Sequence, residues 1–202
     1  MLVSLGLLGI NTEKTVEDSS PVPVIQSKEN LTVPITCNIT LAYQFLTGDG
    51  IVKQSNGLLK PFTPESASGL IANWIVETGS PTLTNLDVVE RNGGAGRGLS
   101  QYTHIRRTAY DKARRQHIAA GGDPNSIDFQ LSYMVDEYIG KHDSTPGRSL
   151  IGWTRSFERF GQLTSPGDAA VAFSNSYFRP SLPHMSRRVA LAYSVYSQMI
   201  AT

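Results

Sequence analysis

The sequence predicts a mainly α fold of the α+β kind: a helical domain with a small irregular or β-containing lobe, preceded by an extended N-terminal arm. Three observations carry this expectation. Stretches between residues 38 and 201 repeat apolar side chains at helical spacing and start at recognisable capping residues. The interval 81–97 has no such period and is rich in Thr, Asn and Gly, while residues 17–24 are Pro-rich and non-periodic. With 40% apolar residues, a chain of 202 residues buries enough for one domain plus an extension.

Residues 1–37 form the expected arm and 38–202 the expected domain. Met1 to Ile10 is almost wholly apolar, but it lacks a Lys or Arg and is too short for a bilayer, so neither an export signal nor an anchor is expected. Glu17-Asp18-Ser19-Ser20-Pro21-Val22-Pro23-Val24 favours extended backbone without a core of its own. Such an arm either docks on a neighbouring subunit of an assembly, led by Leu2, Val3, Leu5, Leu7, Leu8 and Ile10, or wraps its own domain.

The first helix is expected over 37–47, where Ile39, Ala42, Tyr43 and Leu46 fall on one face and Gly48-Asp49-Gly50 stops it. Residues 51–62 read as loop or a brief hairpin, with Asn56-Gly57 the turn signal. Thr63 then caps a helix with Pro64 at its first position, and Leu70, Trp74 and Glu77 fall at i, i+4 and i+7. That face is apolar except for Glu77, and Gly79-Ser80-Pro81 ends the helix beside it. Glu77 is either a solvated end residue or a partly desolvated carboxyl. In the second case its raised pKa keeps a proton available for general acid catalysis near neutral pH.

The interval 81–97, with Asp87, Val88, Val89 and Glu90 ahead of a Gly-rich run, reads as loop or irregular sheet. A helix over 104–120 carries Arg106, Arg107, Lys112, Arg114 and Arg115, balanced mainly by Asp111. It is a solvated face, or one that meets an acidic polymer or neighbour. Ser126 or Asp128 starts the next helix, which puts Phe129, Tyr133 and Glu137 on one side; Glu137 either pairs with an arginine or lines a cleft. Residues 141–147 form a polar loop, and 149–160 carry Ile151, Trp153 and Phe157, with Trp153 a core residue or a platform. Ser165-Pro166 opens a helix whose small residues permit close helix approach before Arg179-Pro180. Residues 187–201 read as an amphipathic packing helix without chemistry of its own.

Some functions are disfavoured by composition. A net charge of +1, from 18 basic and 17 acidic residues, argues against a general nucleic-acid footprint. A single cysteine, Cys37, forbids an internal disulfide, and the four histidines have no metal-ligand spacing with it. No cofactor or metal is expected.

A helix ending in Glu77 and a small hydroxyl residue, a polar loop, then Gly98-Leu99-Ser100-Gln101-Tyr102 with Arg106 or Arg107 resembles the phage tail lysozyme family. Phe129-Gln130-Leu131-Ser132-Tyr133 with Glu137, and Tyr177-Phe178-Arg179-Pro180, continue the match in order, so that the resemblance covers roughly residues 38–202. The chain departs from that family at Thr78, where Ser is common, at Tyr102, where Trp is common, and at Phe178, where a Glu often precedes Arg-Pro.

The resemblance implies a lysozyme-like domain acting on peptidoglycan, with Glu77 as the acid. Asp87 and Glu90 are then the candidates for a second carboxylate, nucleophile or stabiliser in a retaining mechanism and base in an inverting one, or else plain loop carboxylates. A lytic transglycosylase would use one Glu as acid and then base. Gln101, Tyr102 and Tyr133 are the candidates for holding sugar, through an amide and flat aromatic faces. The resemblance also implies a virion location, in a tail or baseplate, with other virion proteins met through the arm. A structural tail protein whose lysozyme-like domain is catalytically silent or merely binds glycan is the alternative. A free lysin is disfavoured because nothing in the chain reads as a separate wall-binding module.

Overall fold

Side-chain caps set the starts of four helices in the computed structural model of the protein, which describes residues 31–90, 93–142 and 157–201. Thr36 accepts from the Ile39 N–H and opens α1 (Cys37–Thr47), as the periodicity predicts. Gly48 ends α1 but starts α2 (Asp49–Gln54) at once, so residues 51–62 are not a hairpin. The helix carries Ile51 into the core, and Leu59, beyond the turn, is buried as well. Asn56 and Gly57 are indeed a turn, with φ of 54° and 81°, but one that leaves a helix.

α3 (Pro64–Thr78) is the axis of the domain. Its Thr63 cap accepts from the Ser66 N–H at 3.1 Å and donates to the Leu163 carbonyl, and every residue from Ser66 to Ile75 is buried. Gly79, at φ 64°, takes the left-handed conformation that closes the helix. α3 packs against α6 (Pro166–Phe173) and α7 (Met185–Met199). The close approach needs small residues: a Cβ on Gly69 would lie 2.6 Å from the Ala169 Cβ. α6 runs through a π-turn (Ser174–Phe178) to Arg179, whose φ of 46° precedes Pro180.

α4 (His104–Ala119) buries only Tyr110, but of its basic run only Lys112 and Arg115 are exposed, while Arg106, Arg107 and Arg114 pair with carboxylates; α5 (Ile127–Tyr138), capped by Ser126, is mostly buried. Between α3 and α4 lies the small lobe. Antiparallel bridges join Val89 to Arg97 and Arg97 to Tyr102, and the Glu90 and Gly98 amides donate to Gly96 and Val88 carbonyls. The fold is thus mainly helical with a minimal β element, as predicted.

Residues ahead of α1 already lie on the domain: Val33 is buried, and its amide donates to Ser194 Oγ in α7 at 3.0 Å. Residues 1–30 and Trp153 lie outside the described residues, and of the stretch 149–160 only 157–160 is described, as helix. Among the described residues no helix is long and apolar enough to cross a membrane.

Candidate active site

The apolar stripe of α3 runs from Leu70 through Trp74 and delivers Glu77 to a nearly enclosed position, its side chain 13% exposed. Facing it from α7 is Arg188, 1% exposed, whose Nη2 donates to Glu77 Oε1 at 2.7 Å. The same guanidinium donates from Nη1 to Asn73 Oδ1 at 2.7 Å and from Nε to the Pro183 carbonyl at 2.7 Å. Burial raises the Glu77 pKa above the ordinary carboxylate value. The charge and hydrogen bond of Arg188 oppose the rise, the charge of Glu90 adds to it, and Arg106 pulls weakly the other way. The last helix, read from the sequence as packing alone, thus also supplies the charge that faces Glu77. Arg188 sits on its buried stripe with Leu191, Ala192 and Val195.

Asp87 has a different environment. Arg97 engages both its oxygens, at 3.0 and 2.8 Å, while the Tyr110 hydroxyl donates to Oδ1 at 2.8 Å and Arg114 Nε to Oδ2 at 2.6 Å. Burial works against its charge, yet the hydrogen bonds from Arg97, Tyr110 and Arg114 outweigh it and hold the carboxyl below its usual pKa. With both oxygens committed, Asp87 ties the lobe to α4. Gln130, fully buried, extends the tie: its Nε2 donates to the Tyr110 hydroxyl at 2.6 Å and its Oε1 accepts from the Leu99 N–H at 2.9 Å.

Asp87→Asn is therefore expected to cost about 1–3 kcal/mol of stability at neutral pH, the worth of charged hydrogen bonds lost from a largely enclosed site. Because its folded pKa is depressed, the stabilisation from Asp87 is present above an unfolded pKa of about 3.9 and disappears as pH falls through the folded value. Thermal melts from pH 7 downward check this: the parent and variant curves should converge in acid, and parallel curves would refute it.

Glu90 is exposed, and one of its oxygens accepts from the Gly96 N–H at 2.9 Å. Gln101 approaches the same glycine: a Cβ at Gly96 would lie 2.5 Å from Gln101 Oε1 and 3.1 Å from Glu90 Oε2. The lobe thus brings Glu90 and Gln101 together beside Gly96, with the Glu90 charge felt at Glu77. The Gln101 amide nitrogen is spent on the Val88 and Gly98 carbonyls, at 3.3 and 3.0 Å, so only its oxygen remains for a ligand.

Tyr102 and Tyr133 are placed differently from the sequence expectation. Tyr102 is fully buried and Tyr133 3% exposed, and with Tyr110 they form a second small core in which rings pack 5.0–5.1 Å apart. Neither presents an open face to a sugar. Three large apolar rings gain more from mutual burial than from a wet cleft wall. Glu137, on the same side of α5 as Tyr133, takes the first of its two expected roles. Arg106 forks onto it at 2.6 and 2.8 Å, and the Tyr177 hydroxyl donates at 2.9 Å.

Comparison with protein families matches residues 58–199 to one described as phage tail lysozyme. The chain belongs to the phage tail lysozyme family. Comparisons with curated proteins and with solved structures gave no match. The matched range of this phage tail lysozyme domain contains Glu77, the lobe and Arg188, and leaves α1 and α2 ahead of it. Membership supports a lysozyme-like, peptidoglycan-degrading role in a phage tail.

The departures from the family pattern have local explanations. Thr78 keeps a hydroxyl, which donates to the Trp74 carbonyl at 2.7 Å and accepts from the Ser80 N–H at 3.2 Å, closing α3 just past Glu77. Tyr102 fills the small aromatic core. The Phe178 ring lies 6.0 Å from the Arg188 guanidinium. Sequence reasoning missed Arg188 and the role of Asn73. The signal was present: two charges of opposite sign, each on an otherwise apolar helix stripe, need one another when both stripes are buried.

Proposed function

We propose that the protein is a virion-borne glycosidase of a phage tail or baseplate that cleaves the β-1,4 link between N-acetylmuramic acid and N-acetylglucosamine, with Glu77 as general acid. One observation carries this reading. Glu77 is a carboxyl withdrawn from water, pushed up in pKa, with one oxygen held by Arg188 and the other not engaged by any described residue. A proton on that free oxygen can pass to the departing glycosidic oxygen. Glu90, exposed and facing the same region as Gln101, is the candidate for a second carboxylate. If it takes no part, Glu77 acts as acid and then base, with a hydroxyl of the sugar as nucleophile.

Digestion of purified peptidoglycan, with the released muropeptides identified by mass, tests the reading. Reducing ends mark a hydrolase and 1,6-anhydro ends a lytic transglycosylase. No release by the folded protein would instead support a structural tail protein with a silent lysozyme-like domain. The enclosure of Tyr102 and Tyr133 is the observation that favours that second reading.

The arm supplies the assembly contact in this proposal: residues 1–30 dock on another virion protein. Deleting them is expected to abolish co-assembly with tail or baseplate components and leave the helical circular dichroism of the remainder intact. Loss of folding on deletion would mean that the arm wraps its own domain.

A further inference from the structure

We propose that Arg188 is the positioning residue of the acid: its guanidinium holds Glu77 Oε1, directs the transferable proton to Oε2, and stabilises the negative charge left on the carboxyl when that proton departs. The inference rests on the reading of Glu77 as general acid. It starts from a geometry that the acid role does not itself require. Arg188 is 1% exposed, and a buried guanidinium must find a full set of acceptors. Beside Glu77 it has two close neutral acceptors, Asn73 Oδ1 at 2.7 Å and the Pro183 carbonyl at 2.7 Å.

The cradle is built before the acid is considered. Asn73 Nδ2 donates to the Gly69 carbonyl in its own helix at 2.8 Å and to Ala170 in α6 at 3.0 Å. This fixes the amide and turns its oxygen toward Arg188. The main chain at Pro183, just ahead of α7, supplies the second acceptor. Three elements therefore orient the guanidinium, and its remaining nitrogen meets only one oxygen of Glu77. An ordinary ion pair would hold the carboxyl ionised. Here burial outweighs the pairing, and the carboxyl's pKa is raised although Arg188 pulls it down.

The step balances as follows. The Oε2–H bond breaks and its proton passes to the glycosidic oxygen, while the bond from that oxygen to the anomeric carbon breaks with its electron pair going to the oxygen. The carboxylate charge then spreads over both oxygens, one of them already hydrogen-bonded by Arg188. Water or a sugar hydroxyl attacks the anomeric carbon and returns its proton to Glu77. Arg188 thus stabilises charge that develops in the reaction, which is where a preorganised donor acts most strongly. The other charged groups bearing on Glu77 are Arg106 from α4 and Glu90 from the lobe, and neither is hydrogen-bonded to it.

The test uses the full chain, with Arg188→Met and Arg188→Lys beside Glu77→Gln. Carbon-13 NMR of the carboxyl groups follows the titration of Glu77, assigned by the signal missing from Glu77→Gln, and muropeptide release is measured against pH. Arg188→Met is expected to move the Glu77 midpoint and the alkaline limb of activity upward together, and to slow release about 10²-fold below that limb, the scale of a misplaced catalytic group. Arg188→Lys keeps the charge but not the fork, so a smaller change in the same sense is expected. It decides the matter should the Met variant fail to fold. Folded variants that titrate and react like the parent, while Glu77→Gln is inactive, would overturn the inference and leave the acid in place. A slower rate with midpoint and limb unmoved would reduce Arg188 to packing and overturn it equally. Activity surviving in Glu77→Gln would instead sink the reading beneath it.

Discussion

Glu77→Gln is expected to lower muropeptide release by about 10²–10⁴-fold, the range contributed by a positioned general acid, without loss of the fold. The amide occupies the same volume and its carbonyl still accepts from Arg188 Nη2, so the pairing geometry at 2.7 Å needs no rearrangement. The pH dependence follows from the direction of the shift. Burial first, with the charge of Glu90 adding to it, raises the Glu77 pKa despite Arg188, so the protonated and active form extends to higher pH than for a free Glu. Activity should fall as pH rises through that raised value.

Stability carries the same sign. A carboxyl with a raised folded pKa makes its full contribution below an unfolded value of about 4.3, and the contribution is lost as pH rises through the folded value. The Gln variant has no such loss, so its stability relative to the parent should rise with pH across that window. Muropeptide release and denaturant melts on the two proteins check both statements. Equal release by parent and variant would remove Glu77 from the chemistry.

Glu137→Ala is expected to produce the largest loss of stability, about 3–5 kcal/mol, because it removes one partner of an enclosed ion pair and leaves the other uncompensated. The Glu137 side chain is 5% exposed and that of Arg106 13%. Arg106 lies between two rings, its guanidinium 5.0 Å from the centroid of Tyr102 and 4.5 Å from that of Tyr177, and it has no easy route to water. The Tyr177 hydroxyl loses its acceptor as well. Urea denaturation followed by circular dichroism gives the measurement, and a loss below about 1 kcal/mol would show that the cluster relaxes or hydrates. The consequence reaches the site, since the same cluster joins α5 to the π-turn that leads toward α7.

How much of this was legible in the sequence differs by element. Local signals determined where most helices begin: Thr36, Thr63, Ser126 and Ser165 are caps whose side chains accept from the amides three residues on, a rule that acts within one turn and needs no partner. The stop at Gly79 and the irregular lobe were determined in the same way, by backbone preferences of single residues. Glu77 could be singled out because helical spacing alone carries it onto the buried stripe of α3.

Tertiary structure decided the rest. α2 carries Ile51 into the core, which overrides the hairpin that Asn56-Gly57 suggested. Asp87 and Glu90 look alike in sequence, three positions apart in one loop. Arg97, Tyr110 and Arg114 converge on Asp87 only when the lobe folds back on α4, and Glu90 is left outside. Tyr102 and Tyr133 could serve a cleft or a core, and only the meeting of lobe, α4 and α5 assigns them to the core. Arg188 stands 111 positions from Glu77 along the chain, a separation at which no periodicity rule operates. Spacing determines which face of a helix a residue occupies; which charge meets it there is set by the packing of another helix, a choice made by burial and electrostatics acting across the whole domain.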